Sequence, residues 1–596
     1  MSHSNRSPIE YRLRFPDLAG HRIHVQMHIR QPDPEGQLLF LPAWIPGSYL
    51  IRDFARHIER IQAHCNDHPV DTFKQGDHEW RCAPCPGPLT IDYVVYAWDL
   101  SVRAARVDQQ YAFFNGTSVF LGTPNHAQSA HVVVLEAPAS QPEWQVYTSM
   151  PCATEHPEEA QRHHFGAYQA PDYDALIDHP FLLGTPLVSS FEVHGATHEL
   201  IFTQPVPELD LARIQRDVAQ ICQAQIEFFE PETAAVPFLD SADRYCFISL
   251  VTENGYGGLE HRSSTALMFP RHQLPTTAQA DEKVSEGYQS FLGLVSHEYF
   301  HTWNVKRIKP AAFSPYPLTR PAHTELLWVF EGFTSYYDDL FTYRSGVVSK
   351  RAYLDRLEKI ISHVHKGSGR FKQSVAQSSY DAWTRFYKQD ENSPNAIVSY
   401  YTKGALVALA LDYSLQEQTQ GRHNLDDVMR YLWQHYGKDY YRGHPRGLQE
   451  DEMAAVIQAA TGVDCRDFIQ RYVHGSTDLP LEKLFATQGI QLRWQPSSPL
   501  PSLDARLEDS PQGLRIAAVY EQGAAHRAGL SAGDIIIALN HLRVENQERL
   551  KTLLSAYPAQ HVVPVHVFRD GVLQVYEVTL FPAPNDQCVL EGQSQT

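Results

Sequence analysis

The residues best placed to do chemistry lie in the run Val295-Ser296-His297-Glu298-Tyr299-Phe300-His301, an H-E-x-x-H pattern. An α-helix repeats every 3.6 residues, so imidazoles four apart share one face, one turn apart. Two imidazoles so placed can hold one Zn²⁺, and Glu298 beside them can act as base toward a water that the ion activates. The five-residue pattern alone carries little weight in a chain with 31 His. Its surroundings add to it. Val284, Tyr288, Phe291, Leu292 and Val295 recur at three- and four-residue steps before it, which predicts an amphipathic helix.

A catalytic zinc needs three protein ligands and an open position for water. The candidate third ligand is Glu331, in Trp328-Val329-Phe330-Glu331-Gly332-Phe333, part of a second helical pattern that runs on to Asp339. An anionic ligand beside two neutral imidazoles leaves an ion that still polarises its water while Glu298 takes the proton. A lone helix glutamate is more often solvated, but this one is embedded in apolar residues. Asp338, seven residues on, falls two turns along the same face and could orient a ligand imidazole. Two further segments could serve a peptide substrate. Gly257-Gly258-Leu259-Glu260-His261 sets a carboxylate in a glycine turn beside a strand, either as a turn residue or as the partner of a substrate's α-ammonium. In Tyr400-Tyr401-Thr402-Lys403-Gly404 a tyrosine hydroxyl could stabilise an oxyanion, or the rings could simply pack at a helix start.

Several elements must position these groups. Residues 8 to about 190 read as β-rich, with alternating segments such as Tyr11–Phe15 and Arg22–Met27 between Pro, Gly and Asp punctuation. Trp44-Ile45-Pro46-Gly47-Ser48-Tyr49 reads as a packing turn rather than a site. Leu211, Ile214, Val218 and Ile221 mark a helix. Tyr245–Val251 reads as a buried strand, followed by a glycine-rich turn through Gly255, Gly257 and Gly258, and a second strand lies near Thr265–Phe269. From about 325 to 475 the pattern is helical. Pro496–Leu503 has linker composition, and residues 504–582 form a small mixed unit: strands at Gly513–Ile516, Ile535–Leu539 and Val563–Phe568, a short helical turn at Ala525–Gly529, and a helix at Glu548–Leu554. The polar tail, 583–596, is expected to fray.

At 596 residues the chain should hold three or four domains, and a 43% hydrophobic content is ample for packed cores. A net charge of −19 argues against nucleic acid and anionic membranes as partners. Residues 1–8 lack the apolar core of a signal peptide, and no apolar run approaches a membrane span, so a cytoplasmic location is expected. Eight dispersed Cys make no disulfide framework, and Cys82-Ala83-Pro84-Cys85 has no second pair at zinc-finger spacing.

Together these segments resemble the M61 peptidases, the glycyl aminopeptidase family of the gluzincin metallopeptidases. The resemblance rests on Gly257–His261, His297–Pro310, Glu331–Tyr337 and Ser399–Leu406, in the order that the broader M1 aminopeptidases use. It extends to Trp44–Tyr49, Pro171-Asp172-Tyr173-Asp174 and a C-terminal unit similar to a PDZ domain. It implies a multidomain α+β protein: a β-rich N-terminal domain (1–190), a thermolysin-like zinc peptidase domain (191–495) whose later part is helical, and a PDZ-like domain (504–582). It implies that His297, His301 and Glu331 bind one zinc, that Glu298 is general base and then acid, and that Tyr401, not Tyr400, stabilises the oxyanion. Glu260 would take the α-amine, with Gly257, Gly258 and His261 lining the substrate site. His261 stands where M1 enzymes usually have Asn, and the gap from His301 to Glu331 is longer than theirs.

The expected activity is removal of small N-terminal residues, glycine or alanine, from peptides with a free amine; the small-residue preference comes from the resemblance alone. In the PDZ-like unit, Gln512–Ile516 would offer backbone N–H groups to a peptide C-terminus, with strand addition alongside, or the unit would be a lid or packing module that binds no peptide. Two other readings remain at this stage. One is an endopeptidase with the same core and a structural Glu260. The other is a PDZ-based scaffold with a degenerate peptidase domain.

Overall fold

The computed structural model describes residues 8–279 and 283–592. They form two compact units: residues 1–322, 337–348 and 430–449 in one, and 323–336, 349–429 and 450–596 in the other.

The first unit opens with a seven-stranded sheet in which Ile9–Asp17 lies between His131–Leu135 and Arg22–Ile29. Burial alternates residue by residue along Arg22–Ile29, as a strand with one covered face requires. Tyr11, Leu13, Ile23, Val25 and Met27 share an apolar core with Phe113, Phe114, Phe120 and Phe181.

A five-stranded sheet follows: β1 (Leu187–Val193), β2 (Ala196–Phe202), β3 (Arg244–Thr252), β4 (Gly257–Glu260) and β5 (Ser264–Pro270), in the spatial order β1-β2-β3-β5-β4. Helix α1 (Leu211–Phe229) makes the crossover between the parallel strands β2 and β3. The glycine-rich segment expected as a turn is therefore the edge strand β4, antiparallel to β5. Glycine has low strand propensity, and here pairing with β5 overrides it. Helix α2 (Glu286–Phe300) starts at Ser285, whose side chain accepts from Tyr288 N, and packs against β4 and β5. Tyr288, Phe291, Leu292, Val295 and Tyr299 are buried along it.

A π-helical turn, Trp328–Gly332, belongs to the second unit, and α3 (Phe333–Arg344) after it is divided between the two, its residues from Tyr337 on counting with the first. Helices α4 (Lys350–Lys366) and α5 (Thr402–Thr419) follow. The C-terminal part is a sheet of β6 (Ala505–Ser510), β7 (Gly513–Val519), β8 (Ile535–Leu539), β9 (Val562–Arg569) and β10 (Val572–Thr579), in that spatial order, with α6 (Gln547–Leu554) beside β6. β7 is paired on both edges, and Gln512 lies in the hairpin joining β6 to β7. The Gln512–Ile516 segment therefore has no edge to offer a peptide. That edge belongs to β6, facing α6. The tail expected to fray instead forms a strand over Gln587–Gly592 that pairs with Ile490–Gln495 and is tied to α4 through Leu590 N to Glu358 Oε1 (2.8 Å). Residues 593–596 lie outside the described residues. No helix among the described residues is long and apolar enough to cross a membrane.

Candidate active site

In the first unit, His297 and His301 sit in the last turn and at the C-cap of α2. His301 Nδ1 donates to the Asn304 carbonyl (2.6 Å), and His297 Nδ1 donates to Asp338 Oδ2 (2.9 Å). A carbonyl and a carboxylate can only accept, so each ring carries its proton on Nδ1, and in neutral imidazoles Nε2 is then a bare lone pair. The two Nε2 atoms face each other at 3.1 Å. Opposed lone pairs at that distance repel unless a cation lies against both. Two nitrogens bound to a tetrahedral zinc would stand roughly 3.3 Å apart. Asp338 is itself anchored, because Ser296 Oγ donates to its backbone carbonyl (2.7 Å).

Glu298 points from the same helix toward β4. A Cβ added to Gly258 would fall 2.0 Å from Glu298 Oε1, so only glycine lets the edge strand lie directly on this carboxylate. Glu260, at the end of β4, is 3% exposed, and its Oε1 has no hydrogen-bond partner among the described residues. A ligand atom each from Glu260, Glu298 and His301 all lie within 4.8 Å of one another.

Gly47 presses on Glu260 from the N-terminal sheet region. Its φ is +93°, and a Cβ there would come 2.5 Å from Glu260 Oε2. The Trp44–Tyr49 segment, read as a packing turn, therefore forms part of the wall around Glu260. His261 turns away from Glu260 into a buried ionic cluster. Its Nδ1 donates to Asp178 Oδ1 (3.0 Å), which also pairs with Lys306 (2.9 Å). Burial pushes the Asp178 carboxyl up, but Lys306, His261 and Arg262 outweigh it and hold it well below the usual range. His261 thus fixes the end of β4 through this cluster. The pairing of Asp178 with His261 and Lys306 had no signal in the sequence, since these partners are 83 and 128 residues away.

In the second unit, Glu331 is 2% exposed within the π-helical turn. Such turns widen a helix locally and re-aim its side chains. Tyr401 begins α5, with its backbone N–H on Ser399 Oγ (3.1 Å). Tyr400 beside it is fully buried. Burial first, then Tyr387 and Glu331, push its hydroxyl well above the ordinary tyrosine value, so it stays protonated. The glutamate's turn and the tyrosine's helix meet backbone to backbone. A Cβ on Gly332 would fall 2.7 Å from Gly404 Cα, and one on Gly404 would fall 2.9 Å from Gly332 Cα.

The sequence matches the Peptidase M61 N-terminal domain over residues 10–185, the M61 glycyl aminopeptidase domain over 290–407 and a PDZ domain over 501–580. The crystal structure of an aminopeptidase N family protein from Idiomarina loihiensis superposes with a TM-score of 0.92 at 39% identity, covering 98% of both chains. The chain belongs to the M61 glycyl aminopeptidase family. By class it is a metallo-aminopeptidase with a C-terminal PDZ domain. An M1 zinc metallopeptidase from Deinococcus radiodurans is a slight structural likeness, with a TM-score of 0.47 at 13% identity over 80% of this chain and 95% of that one. Stretches of 59 and 87 residues (10% and 15% of the chain) are 37% and 36% identical to probable periplasmic DegP-like serine endoproteases of Halomonas elongata and a Marinomonas species. The chain spans only 12% and 18% of those two proteins.

Proposed function

We propose that this M61 protein is a zinc aminopeptidase in which His297, His301 and Glu331 hold a single ion. The reading is supported by the opposed Nε2 atoms and by a donor set of two imidazoles and one carboxylate, which suits zinc.

The observation that carries the exopeptidase assignment is Glu260: a buried carboxylate with an unpartnered oxygen, close to the base Glu298. It offers a substrate's α-ammonium a charge-assisted bond and so sets the cut at the first peptide bond. When bound, the ion supplies a Lewis acid that polarises the scissile carbonyl and acidifies water. Glu298 takes a proton from the attacking water and delivers it to the leaving amine. The Tyr401 hydroxyl donates to the tetrahedral oxyanion. Small first residues such as glycine or alanine are the proposed substrates, in keeping with the glycyl aminopeptidase domain matched over residues 290–407. Peptide partners of the PDZ domain add along the outer edge of β6, facing α6.

Metal analysis of the purified chain tests the ligand set. One zinc per wild-type chain is expected, with its loss in His297→Ala and Glu331→Ala. Full zinc occupancy in Glu331→Ala would remove Glu331 from the set.

A further inference from the structure

The free edge of β4 carries an arginine that the reaction described above does not use. His261 N donates to Ser264 O (2.9 Å), so 261–264 is a hydrogen-bonded pair at the turn joining β4 to β5. Antiparallel pairs alternate between bonded and non-bonded. Along β4 the pairs Leu259–Ala266 and Gly257–Met268 are therefore bonded, while Glu260–Thr265 and Gly258–Leu267 are not. Gly258 thus directs its N–H and C=O outward, away from β5. Its outward carbonyl is met by Arg103 Nη2 at 3.2 Å. Arg103 Nη1 lies 3.5 Å from where a Gly257 Cβ would stand.

Arg103 comes from a loop of the N-terminal region, between Trp98 and Ala105. It is half-buried, its Nε is buried without a hydrogen-bond partner, and it makes no ion pair among the described residues. A guanidinium with Nη2 on a carbonyl and Nη1 in no hydrogen bond among the described residues has donor capacity left for a carboxylate. It is also close to the chemistry, since Gly258 touches both Arg103 and Glu298.

A peptide lying along this edge has its length measured by the strand. With its ammonium on Glu260 and its chain antiparallel to β4, each residue advances about 3.3 Å. Gly258 and Gly257 are two and three residues back from Glu260. That span places the second or third residue of a substrate beside Arg103. In a dipeptide or tripeptide this is where the terminal carboxylate falls. In a longer peptide it is an uncharged amide.

We propose that Arg103 binds the terminal carboxylate of dipeptides and tripeptides, making short peptides with both ends free the preferred substrates. The inference rests on the aminopeptidase reading given above and names its substrate class. Glu260 and Arg103 then act as a ruler, with a carboxylate for the ammonium and a guanidinium for the carboxylate on one strand edge. Such an enzyme consumes what endopeptidases and oligopeptidases release, and its products are free amino acids.

The test compares kcat/KM for trialanine and trialanine amide in wild type, Arg103→Met and Arg103→Lys. The wild type is expected to favour the free acid at least tenfold, mainly through KM. Arg103→Met should bring the acid-to-amide ratio close to one, and Arg103→Lys should restore part of it, since ammonium keeps the charge but not the fork. An arginine that merely braced β4 would on removal lower both substrates alike and leave the ratio unchanged. A wild-type ratio near one, or a ratio preserved in Arg103→Met, overturns the proposal while the amide's hydrolysis still upholds the aminopeptidase. Failure to cleave either tripeptide would overturn both.

Discussion

Two glutamates of similar burial are given separate tasks in the proposed reaction, according to their neighbours. Glu298 sits on the helix of the imidazole pair, under Gly258, while Glu260 sits on the strand against Gly47. Glu298→Gln keeps the shape and removes the base, so it is expected to retain zinc and lose about 10²- to 10⁴-fold in kcat. Metal content and turnover measured on the same sample check this, and an active Glu298→Gln enzyme would refute the proton-transfer role. Glu260→Gln removes only the charge opposite the ammonium. A rise in KM of about tenfold or more for free-amine substrates is expected, with kcat affected less. Steady-state kinetics on an alanyl-arylamide separates the two constants.

Helix starts, strand edges and glycine contacts decide whether those side chains meet. The Gly332–Gly404 contact leaves no room for a methyl group, so Gly404→Ala must drive the Glu331 turn and the Tyr401 helix apart. Overpacking of this kind costs about 1–3 kcal/mol. Gly404→Ala is therefore expected to lower both the melting temperature and zinc affinity, as calorimetry and metal titration would show. Unchanged zinc affinity would mean that the glycine pair does not position Glu331. Much at this scale was legible in the sequence. The 3.6-residue spacing of Tyr288, Phe291, Leu292 and Val295 gave helix α2, and the alternation in Arg22–Met27 gave a strand. What stayed hidden depended on partners remote in the chain. β4 reads as a turn because two glycines carry no strand signal until β5 pairs with them. Gln587–Gly592 reads as tail because its partner, Ile490–Gln495, lies 92 to 102 residues away. Arg103 is a single arginine in a loop, and nothing near it in sequence marks it. Gln512–Ile516 reads as a peptide-binding edge because a hairpin's two strands look alike until their outer neighbours are known.

Across the whole molecule, buried histidines couple stability to pH. Burial holds His131 and His198 at about 4 and His179 at about 3, against about 6.5 for an exposed histidine. The unfolded chain therefore takes up protons between about pH 6.5 and 4 that the folded chain refuses, and stability falls as pH falls through that window. Each histidine contributes up to about 1.4 kcal/mol per pH unit. Urea midpoints measured between pH 7 and 5 should fall accordingly, and His131→Leu should flatten the slope; equal midpoints would contradict neutral burial. The chemistry proposed for the whole molecule is a metal-dependent cut at a free amino terminus. The most direct test is hydrolysis of alanyl- and glycyl-arylamides beside their N-acetylated forms, with and without a chelator. The expected result is chelator-sensitive cleavage of the free-amine substrates alone. Cleavage of the acetylated forms at a similar rate, or cleavage indifferent to the chelator, would contradict it.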